Sequence, residues 1–403
     1  MKETLAEFEQ WGADVIFGRA KGFRAGMTRI AMSFLSVLFR GVVHTRMTVF
    51  RKRWKQQAHL GTQVICIGNI TVGGTGKTPV TEMLSKALRD RGRRVAILSR
   101  GYKSRRLKKA QEWEDAAGKP IESDLMPKVV SDGSSLLLDS KYAGDEPYML
   151  ARNLDQVSVV VDRDRIKGGR FAVRHLGADT LVLDDGLQYL RLAHGTDIVL
   201  VDRTAPFGTG HLLPRGTLRE PPSNLKRASY ILITKCDGSS NEPLIERIRQ
   251  HNRFAPIIEC AHGPRYLEEL FTGKRKPLDY LQDKWVAAIS GIAVPEGFEK
   301  SLENLGAHVE IRRHFPDHYR FTQREIDTFM TRCIERDMEL IITTEKDAVR
   351  FPKPKEAIVP IWFLRIEVEI LKGQDDWEEM IDRFCHPNAP GDPILRYRDM
   401  YAI

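Results

Sequence analysis

Lys77 and Thr78 close the stretch GNITVGGTGKTP at residues 68–79, which joins an apolar run to a helical pattern. A lysine there offers a fixed charge to the β- and γ-phosphates of a nucleotide, and the threonine offers a hydroxyl to Mg²⁺. The strict spacing G-x-x-x-x-G-K-[ST] requires glycine at position 71, and Thr71 stands there instead. The physics of the loop survives this departure. Gly73, Gly74 and Gly76, with Thr75 between them, allow positive-φ turns that aim successive N–H groups at a phosphate, ahead of a helix N-terminus. An ordinary glycine turn is the plainer reading, but Gly-Lys-Thr between a buried strand and a helix start favours the nucleotide.

Carboxylates are the second requirement. The apolar run Thr180 to Leu183 ends in Asp184 and Asp185, a Walker B pattern able to hold the Mg²⁺ of a bound nucleotide. Asp145, in Gly-Asp-Glu-Pro, stands at a helix start, where it could serve as an N-cap or as a base. His318 lies in the loop FPDHY, and Glu220 ends LLPRGTLREP (212–221), a segment that reads as either a lid or a tied-down crossover. Division of Mg²⁺ ligation among Asp184, Asp185 and Glu220 stays open at this level. Asn69, Arg100, Gln188 and Arg219 sit in polar clusters close to the loop or the carboxylates and are candidates for holding substrate.

These residues need a scaffold, and the periodicity supplies one. Apolar strands at 64–67, 95–99, 157–161, 180–183, 197–201 and 230–234 alternate with helical patterns, notably 78–89 and 145–154. This is an α/β chain with a P-loop NTPase-like parallel sheet covered on both faces, and ligands collect at the carboxyl ends of such strands. A second β/α set, with strands near 286–289, 309–312, 340–343 and 358–363, forms a smaller C-terminal α/β domain. The expected division is 1–60, 61–275 and 276–403, with a polar, lysine-rich surface excursion at 103–128. The five scattered cysteines form no C-x-x-C pair, which favours a reducing compartment and no metal cluster.

The chain has 403 residues and a net charge of +9, unevenly spread. No Asp or Glu occurs between Asp14 and Glu82, while Arg51, Lys52, Arg53 and Lys55 crowd one end of the interval. Within this arm the apolar run Ile30 to Phe39 is much shorter than the ~20 residues of a membrane span. With its basic flanks and Trp54 it reads as a helix lying in a membrane interface. A basic helix packed on the domain is the next reading. Nucleic acid ranks last, for want of interleaved aromatics or a recognition motif.

Taken in order, GGTGKTP, LSRGY, AGDEP, DDGLQ, LLPRGTLREP, FPDHY and TTEKDA resemble the tetraacyldisaccharide 4'-kinases, the lipid A 4'-kinases of Gram-negative envelope synthesis. The resemblance covers most of the chain, and that family's loop is likewise irregular at its first glycine. It implies transfer of the γ-phosphoryl of ATP to the 4'-hydroxyl of a tetraacylated glucosamine disaccharide 1-phosphate, forming lipid IV(A). The enzyme would sit on the cytoplasmic face of the inner membrane, peripheral or monotopic, with ATP and Mg²⁺ as cofactors. The family's catalytic aspartate falls on Asp145 and its paired histidine on His318. Leu187 and Tyr189 depart from the usual DDGFQH, replacing an aromatic and a histidine. Three other readings remain: a GTPase, because Thr234-Lys235-Cys236-Asp237 imitates a guanine-reading element; a membrane-bound ATPase-like scaffold; and a soluble small-molecule kinase.

Overall fold

The computed structural model describes residues 10–107, 111–114, 119–122, 126–352 and 358–386. Its strands are β1 (Gln63–Asn69), β2 (Val95–Ser99), β3 (Lys128–Asp132), β4 (Ser158–Val161), β5 (Thr180–Leu183), β6 (Thr196–Asp202), β7 (Tyr230–Thr234), β8 (Ile257–Glu269), β9 (Arg275–Lys276), β10 (Trp285–Ser290), β11 (His308–His314), β12 (Leu340–Thr344) and β13 (Ile361–Lys372). They form one 13-stranded sheet in the order β11-β10-β12-β13-β8-β7-β6-β1-β5-β2-β4-β3, with β9 added to β8. The run from β4 to β8 is parallel, as is the run from β13 to β11. An antiparallel ribbon of β8 and β13 joins the two runs, and β3 closes the far edge antiparallel to β4.

The central strands are apolar without alternation because helices cover both faces. On one face Val80, Leu84 and Leu88 of helix Lys77–Asp90 and Leu150 of helix Asp145–Asn153 pack on Ile65, Ile97 and Val159. On the other, Phe171 and Ala172 come from helix Arg165–His175 and Leu244 and Ile248 from helix Glu242–Arg249, all buried. Each of these side chains larger than alanine contributes roughly 1.5–3 kcal/mol of burial. In the C-terminal run, helix Pro295–Asn304 covers one face through Phe298 and Leu302, and helix Gln323–Glu335 the other through Ile326, Phe329 and Met330. Thr322 and Glu325 form a capping box that starts the latter. The last helix, Gln374–Cys385, returns to the first run: Trp377, Met380, Ile381 and Phe384 belong to the cluster of Leu84 and Leu88.

The arm is longer than the sequence suggests. A single helix runs Phe23–Arg51, 29 residues, and by length and composition it could cross a membrane. Arg29 interrupts the apolar run in the sequence yet folds back on the carbonyls of Val15 and Ala20, so the apolar surface continues across it. Phe23, Met27, Ile30, Phe34, Val37, Leu38 and Val42 are exposed. Towards the body, Ser36 donates to the Leu212 carbonyl (2.8 Å) and accepts from the Arg215 N–H (3.0 Å), while Arg46 donates to the Gln188 carbonyl (2.6 Å).

The 103–128 excursion is tied down where it is described. Trp113 packs edge-on against Phe171 (5.4 Å), and Gln111 exchanges two hydrogen bonds with the Val129 backbone.

Candidate active site

The loop after β1 rises into helix Lys77–Asp90 through Gly76, whose φ of 79° and absent Cβ make the turn possible. Gly73 also has positive φ. The 212–219 segment fastens this loop: Val72 N–H donates to the Thr217 carbonyl (2.7 Å), and Arg219 N–H to that of Ile70 (2.7 Å). It is therefore a tied-down crossover. Lys77 Nζ donates to Asn69 Oδ1 (3.3 Å) and lies 3.7 Å from Asp185 Oδ1, so the lysine already stands over the carboxylates that end β5.

Those carboxylates differ. Asp184 is buried and, among the described residues, its carboxylate meets long hydroxyl contacts from Thr81 (3.3 Å) and Ser99 (3.5 Å). Burial, with Glu146 and Asp185 close by, pushes its pKa up to about 7. Such an under-neutralised carboxylate suits a divalent cation. Asp185 takes a left-handed φ of 52° and accepts two bonds from Arg219 Nη1 (2.8 and 3.0 Å). Burial would raise its pKa, but Lys77 and Arg219 outweigh it and hold the carboxyl down. Glu220 is already engaged: Gln188 and Arg227 donate to Oε1 (both 2.9 Å) and Asn224 to Oε2 (2.7 Å). Gln188 also donates to the Asn69 carbonyl (3.1 Å), closing a buried network beneath the loop.

Asp145 is the first residue of its helix, with Gly144 as the cap and no side-chain cap bond. The capping reading thus falls away, because the carboxylate is turned elsewhere. His318 Nδ1 lies 2.9 Å from Asp145 Oδ2, Arg350 Nε lies 3.4 Å from the same oxygen, and Arg320 Nη2 lies 3.4 Å from Oδ1. Burial alone would raise the Asp145 pKa. The His318 hydrogen bond and the Arg350 and Arg320 charges win, leaving it lowered and the carboxylate ionised. The ionised Asp145 carboxylate, an acceptor only, requires a proton on His318 Nδ1, while Lys346 Nζ lies 3.4 Å and Asp317 Oδ2 3.8 Å from Nε2. His318 itself holds a φ of 65°, a strained setting for a histidine, and meets Tyr102 edge-on (5.8 Å).

The fold thus brings together the loop, Asn69, Asp184, Asp185, Gln188, Arg219 and Glu220 as one group, and Asp145 with His318 as another. Glu146, beside Asp145, is near enough to perturb Asp184. Arg100 follows β2, close enough to Arg165 for each charge to act on the other. Arg165 was not foreseen from the sequence. It is buried over the Tyr189 ring (4.4 Å), and Tyr189, at the departure from the usual pattern, donates to Asp164 (2.8 Å). Arg320, Lys346 and Arg350 were missed too. The available signal was Asp347 and Arg350, spaced i,i+3 in TTEKDAVR and paired at 3.1 Å.

Two further constellations are committed internally. In Thr234-Lys235-Cys236-Asp237, Lys235 donates to Asp202 (2.6 Å) and Asp237 accepts from Arg203 (2.9 Å). Cys66, His194 and Asp197 bring their ligand atoms within 4.8 Å of one another. Asp197 there pairs with His194 (2.8 Å) and Arg227 (3.9 Å), and burial pushes the Cys66 thiol well up.

A family model for tetraacyldisaccharide-1-P 4'-kinases matches residues 28–386. The tetraacyldisaccharide 4'-kinase of Anaeromyxobacter dehalogenans is 41% identical over 342 residues, 84% of this chain and 85% of its own. That of Syntrophus aciditrophicus is 35% identical over 362 residues, 87% and 92% of the two chains. Among solved structures, LpxK from Aquifex aeolicus in complex with ATP is similar with a TM-score of 0.68 and 29% identity, over 89% of this chain and 99% of that one.

Proposed function

Because the chain belongs to the tetraacyldisaccharide-1-P 4'-kinase family, we propose that its reaction runs between the phosphate-binding loop and the Asp145–His318 pair. It is an ATP-dependent kinase of lipid A biosynthesis, which phosphorylates the 4'-hydroxyl of a tetraacylated glucosamine disaccharide 1-phosphate to give lipid IV(A). That activity displaces the GTPase, scaffold and soluble small-molecule readings.

The observation that carries the residue roles is the 2.9 Å contact of His318 with Asp145, made between residues 173 apart in sequence. Asp145, kept ionised, accepts the proton of the 4'-hydroxyl as that oxygen attacks the γ-phosphorus. His318 Nδ1–H, Arg320 and Arg350 hold the carboxylate in place for it. Lys77 and the N–H groups of Gly74 to Thr78 hold the β- and γ-phosphates, and Arg100, Arg165 and Arg219 supply further positive charge around them. Asp184 and the Thr78 hydroxyl are the groups suited to Mg²⁺, with Asp185 beside them. The cation would neutralise phosphate charge. Glu220 supports this set from behind, through Gln188 and Asn69. His318 follows β11, so motion of the C-terminal strands about the β8–β13 ribbon would make or break its contact with Asp145, guarding ATP from water.

The arm supports a membrane-surface role. One side of helix Phe23–Arg51 is fastened to the body at Ser36 and Arg46, which leaves the other side free to lie in the interface of the inner membrane's cytoplasmic leaflet.

Transfer of label from γ-labelled ATP to the lipid disaccharide tests the assignment. Lys77→Ala and Asp145→Asn should each retain ATP-independent folding and lose most transfer. Full activity of either variant at saturating Mg-ATP would refute its residue's role.

A further inference from the structure

His262 has no part in the chemistry above, yet it touches the phosphate-binding loop. It stands on β8, opposite Val368 in the ribbon that joins the two strand runs. Its ring lies against Gly76: a Cβ built on that glycine would come 2.3 Å from His262 Nε2 and 2.7 Å from Cε1. The Lys235 N–H donates to Nδ1 (3.3 Å), so the proton of the neutral ring is on Nε2. Burial lowers its pKa, outweighing a contact with the Gly76 backbone that would raise it, and keeps the ring neutral. Nε2–H is therefore a donor shielded from solvent and turned to the Gly76 backbone, near enough to be felt by it, yet among the described residues it completes no hydrogen bond of full geometry. A second orphan lies in the same loop. Thr75 is 3% exposed, its hydroxyl is unpartnered, and its carbonyl accepts from Thr234 Oγ1 (2.9 Å).

An unpaired buried polar group costs roughly 1–3 kcal/mol, and two such groups at successive loop positions, Thr75 itself and the ring against Gly76, mark a place prepared for a rearrangement or a ligand. The Gly76 carbonyl is within its reach. It already accepts from Val80 N–H at a long 3.3 Å and has a second lone pair. We infer that His262 is a positioning residue for nucleotide binding: its loose Nε2–H contact with the Gly76 backbone tightens into a full hydrogen bond to the carbonyl when the loop closes over a triphosphate, fixing the left-handed turn from which the Lys77 and Thr78 N–H groups face the phosphates. His262 does not touch the reacting atoms. It acts through Gly76, and the residue that orients it, Lys235, comes from the carboxyl end of β7. This inference rests on the assignment of residues 73–78 as the nucleotide loop.

The test compares His262→Phe, which keeps a ring without a donor, with His262→Gln, whose amide N–H reaches the same place, and with Lys77→Ala as reference. ATP affinity by calorimetry and steady-state kinetics on the lipid acceptor are read together. The Phe variant should raise the ATP Kd and KM roughly tenfold, the worth of one buried hydrogen bond. Its kcat should stay within about twofold, and Gln should restore most of the affinity. Wild-type ATP affinity in the Phe variant, or equal losses in Phe and Gln, would overturn the inference. Should the Phe variant not fold, ¹⁵N-histidine NMR of the wild-type protein decides: ATP should bring the Nε2–H resonance into slow exchange, and an unaltered resonance would overturn the inference. Undiminished ATP binding by Lys77→Ala would instead refute the loop assignment itself.

Discussion

At the scale of single residues, Asp145 and His318 stand out as polar residues at element ends, but their pairing comes from the family resemblance and not from their local sequence; the fold brings them to 2.9 Å. Asp145→Asn should lower kcat by roughly 10²–10⁴. Combined with His318→Ala, the loss should scarcely exceed that of the worse single variant, since groups acting as a unit are non-additive. Multiplicative losses in that cycle would give His318 a separate task. Asp184 makes a prediction of opposite electrostatic character. Its folded pKa of about 7 lies above the ordinary 3.8, so between these values the folded state binds more protons than the unfolded one. Stability from this group therefore falls as pH rises through that window. Without metal, Asp184→Asn should melt above the wild type at pH 8, and the gap should close towards pH 4. A constant gap in the melting curves would contradict the buried-charge account. What stayed hidden were Arg165, Arg320, Lys346 and Arg350, lone basic residues among 63. Only the fold tells which of them face a carboxylate.

At the scale of elements, the short buried strands were read nearly to the residue, because a strand covered on both faces is an unbroken apolar run between turn signals. The ribbon was not. β13 alternates Arg365, Ile366, Glu367, Val368, Glu369, Ile370, and β8 carries His262, Gly263 and Pro264 in its middle, so neither looks like a buried run. The alternation itself was the missed signal. Arg365 anchors this ribbon to the helices: its guanidinium pairs with Glu82 of helix Lys77–Asp90 and with Glu345, while Asn153 donates to both carboxylates (3.1 and 2.6 Å). Arg365→Met should cost about 3–5 kcal/mol in urea unfolding, because buried Glu345 and half-buried Glu82 lose their counter-charge. Adding Glu82→Gln and Glu345→Gln should recover much of that loss. No recovery would mean that packing by the arginine, and not its charge, holds the ribbon.

At the scale of the whole molecule, the arm was underestimated because its apolar face extends beyond the run 30–39, through Phe23, Met27 and Val42 at helical spacing across basic residues. Replacing Arg51, Lys52, Arg53 and Lys55 by Gln should weaken sedimentation with anionic vesicles and flatten its salt dependence, each charge contributing on the order of 1 kcal/mol. ATP binding should survive. Vesicle binding unchanged across a salt titration would return the arm to a packing role. Helix Gln374–Cys385 has a consequence for how the protein is made. Phe384 meets Tyr230 edge-on (6.2 Å), and Trp377, Met380 and Ile381 complete the apolar layer begun by Leu84, Leu88 and Cys260. A ribosome adding about 5–20 residues per second delivers that helix on the order of 10 s after Cys260. Through this interval the nascent nucleotide-binding half holds an uncovered greasy face, a natural handhold for a chaperone. Translation must pass Cys385 before the first-made half can be sealed.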